Sequence, residues 1–97
     1  AIAEAPIYGT VKNIGVTAQI DRLLVKEDRV IIIDYKSNME IPQNPLRVPK
    51  MYLRQLATYK KLMRNIYLDR QIECFIIWTE VPTLMKIEED ILAEYEP

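Results

Sequence analysis

Two apolar runs, Val16 to Val25 and Val30 to Lys36, flank the charged turn Lys26-Glu27-Asp28-Arg29, and this pair constrains the fold more than any other feature. Side chains alternate between the two faces of a strand, and here both faces are apolar. One carries Val16, Ala18, Ile20 and Leu24, matched by Ile31 and Ile33 across the turn; the other carries Leu23, Val25, Val30 and Ile32. A hairpin apolar on both sides needs cover on both sides. The expectation is an α/β chain with helices packed on a sheet.

Three polar residues interrupt this pattern at one end. With the turn centred between Glu27 and Asp28, paired residues have numbers that sum to 55, which sets Asp21 opposite Asp34 and Gln19 opposite Lys36. Lys36, two residues beyond Asp34, shares the face of both acids. Opposed carboxylates with β-carbons about 5 Å apart repel each other, so a positive charge has to neutralise them. Either a divalent ion such as Mg²⁺ does so through carboxylate oxygens, or Lys36 pairs with Asp34 in a structural ladder. A slip of one residue would send a carboxylate to the other face. Polar exceptions inside an apolar element are where functional sites are expected.

Ninety-seven residues, 49% hydrophobic and 28% charged with two glycines, suit one small globular domain or a piece of a larger one. No apolar run approaches a membrane span and no secretory leader opens the chain, so the expected compartment is the cytoplasm. The start lacks a methionine or capping signal and reads as cut, with a preceding element missing. The absence of histidine removes imidazole bases and ligands from these residues, and the single Cys74, in an apolar run, excludes an intrachain disulfide. The net charge of −1 conceals an uneven distribution: −1 over residues 1–35, +6 over 36–70 and −6 over 71–97. A basic middle beside paired acids suits a polyanionic partner.

Ala1 to Gly9 reads as a short strand with Gly9 marking a turn, and Glu4 as an ordinary strand glutamate. Ser37 to Val48, with Pro42 and Pro45, reads as an irregular, mobile loop beside the acids. Pro49 suits a first helical position, and Lys50 to Tyr67 gives the best helix, with Tyr52, Leu56, Tyr59, Met63 and Ile66 as its core stripe. Gln55 and Tyr59 share a face four residues apart. Arg54, Lys60, Lys61 and Arg64 fill the remainder. Gln71 to Thr79 predicts a central strand, Leu84 to Ile87 an antiparallel partner, and Glu88 to Tyr95 an acidic helix. There is no phosphate loop, nucleophile elbow or dinucleotide fingerprint.

Gln19-Ile-Asp21-Arg-Leu, Asp34-Tyr-Lys36-Ser-Asn and Gln55-Leu-Ala-Thr-Tyr59, in this order, resemble the motifs of the RecB-like branch of the PD-(D/E)xK nuclease superfamily. Together with Tyr52-Leu-Arg-Gln and Ile77-Trp-Thr they look most like the C-terminal nuclease domain of AddA-type helicase-nuclease subunits, over nearly the whole chain. The resemblance implies a restriction-endonuclease-like three-layer core, its mixed central sheet flanked by helices and here lacking the N-terminal helix. It implies Mg²⁺ or Mn²⁺ on Asp21 and Asp34, Lys36 as the catalytic lysine, and Gln19, Gln55 and Tyr59 beside the site or on DNA. Arg54 and Lys61 are candidate phosphate contacts. The implied function is exonucleolytic DNA hydrolysis in double-strand break repair, with a helicase portion of the same polypeptide and a partner nuclease subunit. Two departures stand out: Ala18 replaces a usual glycine, and the missing helix commonly brings a further acidic or histidine ligand. A silent DNA-binding or subunit-docking module of the same fold is the alternative, and it would bind phosphates with strong salt dependence and without metal.

Overall fold

A computed structural model describes residues 5–11 and 14–97. Glu4 and the start of the expected first strand lie outside the described residues. The elements are β1 (Ala5–Val11), β2 (Ile14–Ile20), β3 (Arg22–Val25), β4 (Arg29–Lys36), a 3₁₀ turn at Pro45–Arg47, α1 (Lys50–Ile66), β5 (Gln71–Trp78), β6 (Thr83–Ile87) and α2 (Glu89–Ala93). Strands β3-β4-β5-β6 form a four-stranded sheet in that order, and β1 and β2 form a separate antiparallel pair. β4 and β5 run parallel, with Asp34 beside Ile76 and Lys36 beside Trp78, while the outer strands run antiparallel. Joining two parallel neighbours requires a crossover, and α1 provides it. The mixed central sheet flanked by helices is therefore the observed architecture.

The β3–β4 hairpin keeps the register read from the sequence: Arg22 faces Ile33 and Val25 faces Val30. The run from Val16 to Val25 is nonetheless two strands, because the chain bends at Asp21. There the Asp21 carboxylate accepts the Tyr35 backbone N–H at 2.9 Å, replacing the ladder bond that a continuous strand would make. Short acidic side chains compete with backbone acceptors in this way. One consequence corrects the sequence reading. Gln19 pairs with Pro6 in the first sheet and is not the cross-strand neighbour of Lys36. Gly9 is likewise no turn; it lies within β1 opposite Val16, where an added β-carbon would sit 2.6 Å from Leu62 Cδ2 of α1. The Leu62 methyl packs against the bare glycine, so a larger residue there would require that side chain to shift.

One sheet face carries Leu23, Val30, Ile32, Cys74, Ile76, Trp78 and Ile87, all buried against Leu53, Leu56, Ala57 and Met63 of α1 and Leu92 of α2. On the other face Ile31, Ile33, Phe75 and Ile77 are half-buried. Leu53, Leu56, Ala57, Lys60 and Met63 recur at steps of three and four, so the buried stripe of α1 is turned from the expected one. Ile66 is consequently exposed at the helix end, and Pro49 is the N-cap rather than the first helical residue. Lys60, expected on the outer surface, is buried and pairs with Glu89 at 3.2 Å. Its long stem packs with the core while its amine reaches the first turn of α2. No helix among the described residues is long and apolar enough to cross a membrane.

Candidate active site

The site forms where β4 ends. Alternation along the strand buries Val30, Ile32 and Asp34 in succession, so the periodicity that builds the core carries a carboxylate into its margin. Asp34 is 3% exposed. Lys36 follows on the same face and brings its Nζ to 2.9 Å from Asp34 Oδ2. The Lys36 backbone is fixed by Thr79, whose N–H and hydroxyl donate to the Lys36 carbonyl at 2.9 and 3.3 Å. Asp21 stands at the bend between β2 and β3, held against β4 by its bond to the Tyr35 N–H.

Helix α1 supplies the opposite wall. Gln55 Oε1 accepts a hydrogen bond from Lys36 Nζ at 2.9 Å, and Gln55 Nε2 donates to the Tyr59 hydroxyl at 2.8 Å. Tyr59 in turn donates to the Gln19 carbonyl at 3.1 Å. The lysine is thus linked through two side chains of one helix face to the end of β2. Of the residues singled out in the sequence, Asp21, Asp34, Lys36, Gln55 and Tyr59 converge here, and Gln19 contributes its backbone oxygen. Arg54 is exposed and Lys61 half-buried, and neither forms an ion pair with the described residues.

Two further contacts escape the sequence reading. The Tyr52 ring, assigned there to the core stripe, lies with its centroid 4.3 Å from Lys36 Nζ, and its hydroxyl donates to Asn38 Oδ1 at 3.1 Å. The available signal was spacing. Tyr52 precedes Gln55 by three residues, close to one helical turn, which puts both on one side of α1.

Burial pushes the Asp34 carboxyl above its ordinary value, the nearby Lys36 ammonium pulls it back, and Asp21 adds to the rise. The Tyr59 hydroxyl is also raised, first by burial, while its bond with Gln55 works the other way and the carboxylates of Asp34 and Asp21 reinforce the shift. A buried acid that one lysine does not fully compensate is a place where a more highly charged cation is favoured. Asp34 Oδ2 is buried beside the Lys36 ammonium at 2.9 Å, without a well-directed hydrogen bond. Two carboxylates without imidazole or thiolate match the oxygen preference of Mg²⁺ and Mn²⁺. No cluster of three or more acidic, histidine or cysteine side chains suited to a metal occurs among the described residues.

A family model described as the PD-(D/E)XK nuclease superfamily matches residues 3–90 of the chain. No curated protein and no solved structure matches it.

Proposed function

We propose that this chain, which belongs to the PD-(D/E)XK nuclease superfamily, hydrolyses DNA phosphodiester bonds at the cluster of Asp21, Asp34 and Lys36. The observation that carries this reading is the meeting of a buried carboxylate, a second carboxylate at a chain bend and a side-chain-anchored lysine at one strand end. Asp21 and Asp34 would hold Mg²⁺ or Mn²⁺. Such an ion, when bound, lowers the pKa of a coordinated water and offsets charge on the phosphate. Lys36 contributes a fixed ammonium charge for the phosphate oxygens and orients water; Gln55 keeps that ammonium in place, and Tyr59 keeps the Gln55 amide turned toward it. Arg54 and Lys61, on the same helix, would guide the DNA backbone. At the finer level, the motif resemblance supports an exonuclease of double-strand break repair in the cytoplasm. In that setting the chain is the nuclease domain of an AddA-type helicase-nuclease, joined to its helicase portion and a partner nuclease subunit.

A second reading, a silent DNA-binding or subunit-docking module, rests on the basic middle of the chain, +6 over residues 36–70. End-labelled linear DNA incubated with the chain in Mg²⁺, Mn²⁺ or EDTA separates the two. Metal-dependent cleavage that Asp34→Asn and Lys36→Ala both remove is the expected result. Cleavage surviving in either variant refutes the assignment, and salt-sensitive binding in EDTA with no cleavage in metal supports the silent module.

A further inference from the structure

We propose that Tyr52 is a positioning residue for Lys36, its ring face holding the ammonium beside Asp34 while its hydroxyl ties the segment after β4 to α1. The inference rests on the nuclease reading for its functional consequence, and on geometry alone for its structural part. A lysine is a point charge on a flexible four-carbon stem, so its position has to be imposed from outside. Three groups surround Nζ: Asp34 Oδ2 at 2.9 Å, Gln55 Oε1 at 2.9 Å and the Tyr52 ring centroid at 4.3 Å. The first is a provisional anchor. Asp34 is one of the two carboxylates that would hold the metal, and a carboxylate so engaged would hold the ammonium less firmly.

Gln55 and Tyr52 then remain, both on α1. The ring attracts the cation through its electron-rich face without occupying it as a hydrogen-bond acceptor oxygen would. This leaves N–H capacity for a phosphate oxygen. Tyr52 is itself supported from beneath, its ring 6.3 Å from that of the fully buried Trp78 and tilted by 46°. Its hydroxyl bond to Asn38 Oδ1 adds a tie to the loop that leaves Lys36. The two anchors and the loop tie therefore belong to one helical turn.

The test reads Lys36 directly. Proton NMR of the metal-free chain should place the Lys36 ε-methylene signals upfield of those of solvated lysines through the Tyr52 ring current. Tyr52→Phe should keep that shift and Tyr52→Leu should lose it. A trifluorinated phenylalanine at position 52 retains the shape while weakening the negative ring face, which guards against a leucine variant that fails to fold. In the Mg²⁺ cleavage assay, kcat should fall about tenfold in the leucine and fluorinated variants, as for a partly desolvated cation–π contact, with KM little changed. Tyr52→Phe should restore kcat. Unshifted Lys36 signals in the wild-type chain, or full kcat in the folded fluorinated variant, would overturn the proposal. A wild-type chain that cleaves no DNA refutes the nuclease reading, and the proton shifts still decide whether Tyr52 holds Lys36.

Discussion

Replacing Asp34 by asparagine should reverse its effect on stability when metal is added. In the metal-free protein Asp34 is 3% exposed, and burial outweighs the attraction of Lys36, so the ionised form is disfavoured in the folded state. Removing one partner of a buried ion pair is usually destabilising because the other is left uncompensated. Here Lys36 keeps the Gln55 oxygen, the Tyr52 ring and the amide oxygen of the substituted side chain. The net result is a gain of about 1 kcal/mol, or a Tm higher by roughly 4–8 °C for a chain of this size. The sign follows from linkage. A carboxyl raised above its ordinary value of 3.8 favours folding in its protonated form, so the wild-type penalty is complete above the raised value and disappears as pH falls below 3.8. The advantage of Asp34→Asn should therefore shrink between neutral pH and about pH 4. With Mn²⁺ at about a hundred times its dissociation constant, binding stabilises the wild type by about 2.7 kcal/mol, which the variant lacks. Calorimetric melts in EDTA and in Mn²⁺ check both halves. A variant melting several degrees below wild type in EDTA at neutral pH would show that Asp34 is a structural ion-pair residue and refute the reasoning.

Titration calorimetry should give saturable Mn²⁺ binding to the wild-type chain and none to Asp34→Asn; equal heats from both would remove Asp34 from the ligand set. Asp21→Ala leaves the Tyr35 N–H without its acceptor and should lower stability by about 1–2 kcal/mol in EDTA, whereas Asp21→Asn, which keeps an acceptor oxygen, should stay within about 0.5 kcal/mol; denaturant titrations measure the difference. Leu56→Ala, at a fully buried position of α1, should cost about 2–5 kcal/mol in the same assay. Burial pushes the Cys74 thiol up to about 12, so alkylation at about pH 8 should proceed only at the rate of unfolding, and rapid labelling of the native chain would contradict its burial.

The parts of this fold legible in the sequence are those governed by local periodicity. Alternation around a charged turn is enough to place Arg22 opposite Ile33, and the three- and four-residue spacing to place α1. The break at Asp21 is hidden because its cause is a bond to the backbone of Tyr35, a residue on another strand. With the break unseen, Gln19 falls in the wrong sheet. Lys60 misleads for a related reason: its burial depends on Glu89, an acid delivered by the far end of the chain. In the site, Asp34 and Lys36 are visible as polar exceptions on one strand face. Their link through Gln55 to Tyr59 comes from motif resemblance, since a half-buried amide four residues from a tyrosine has no unique meaning by spacing alone. Tyr52 reads as core because an aromatic on a helix usually is core.

The lengths of the strands have a bearing on solubility that the site residues do not. The inner strands β4 and β5 have eight residues each, and the stretch Cys74-Phe75-Ile76-Ile77-Trp78 within β5 is uncharged, rich in β-formers and free of proline. Such a segment is prone to stack with copies of itself when its backbone is open. It is instead paired along its length by β4 and covered on its other side by β6, a five-residue strand carrying Lys86. The opposite border, β3, has four residues and begins with Arg22. Short, charged borders offer poor templates for intermolecular pairing. Two strands that contribute no side chain to the acid and lysine cluster thus shield the aggregation-prone centre of the sheet.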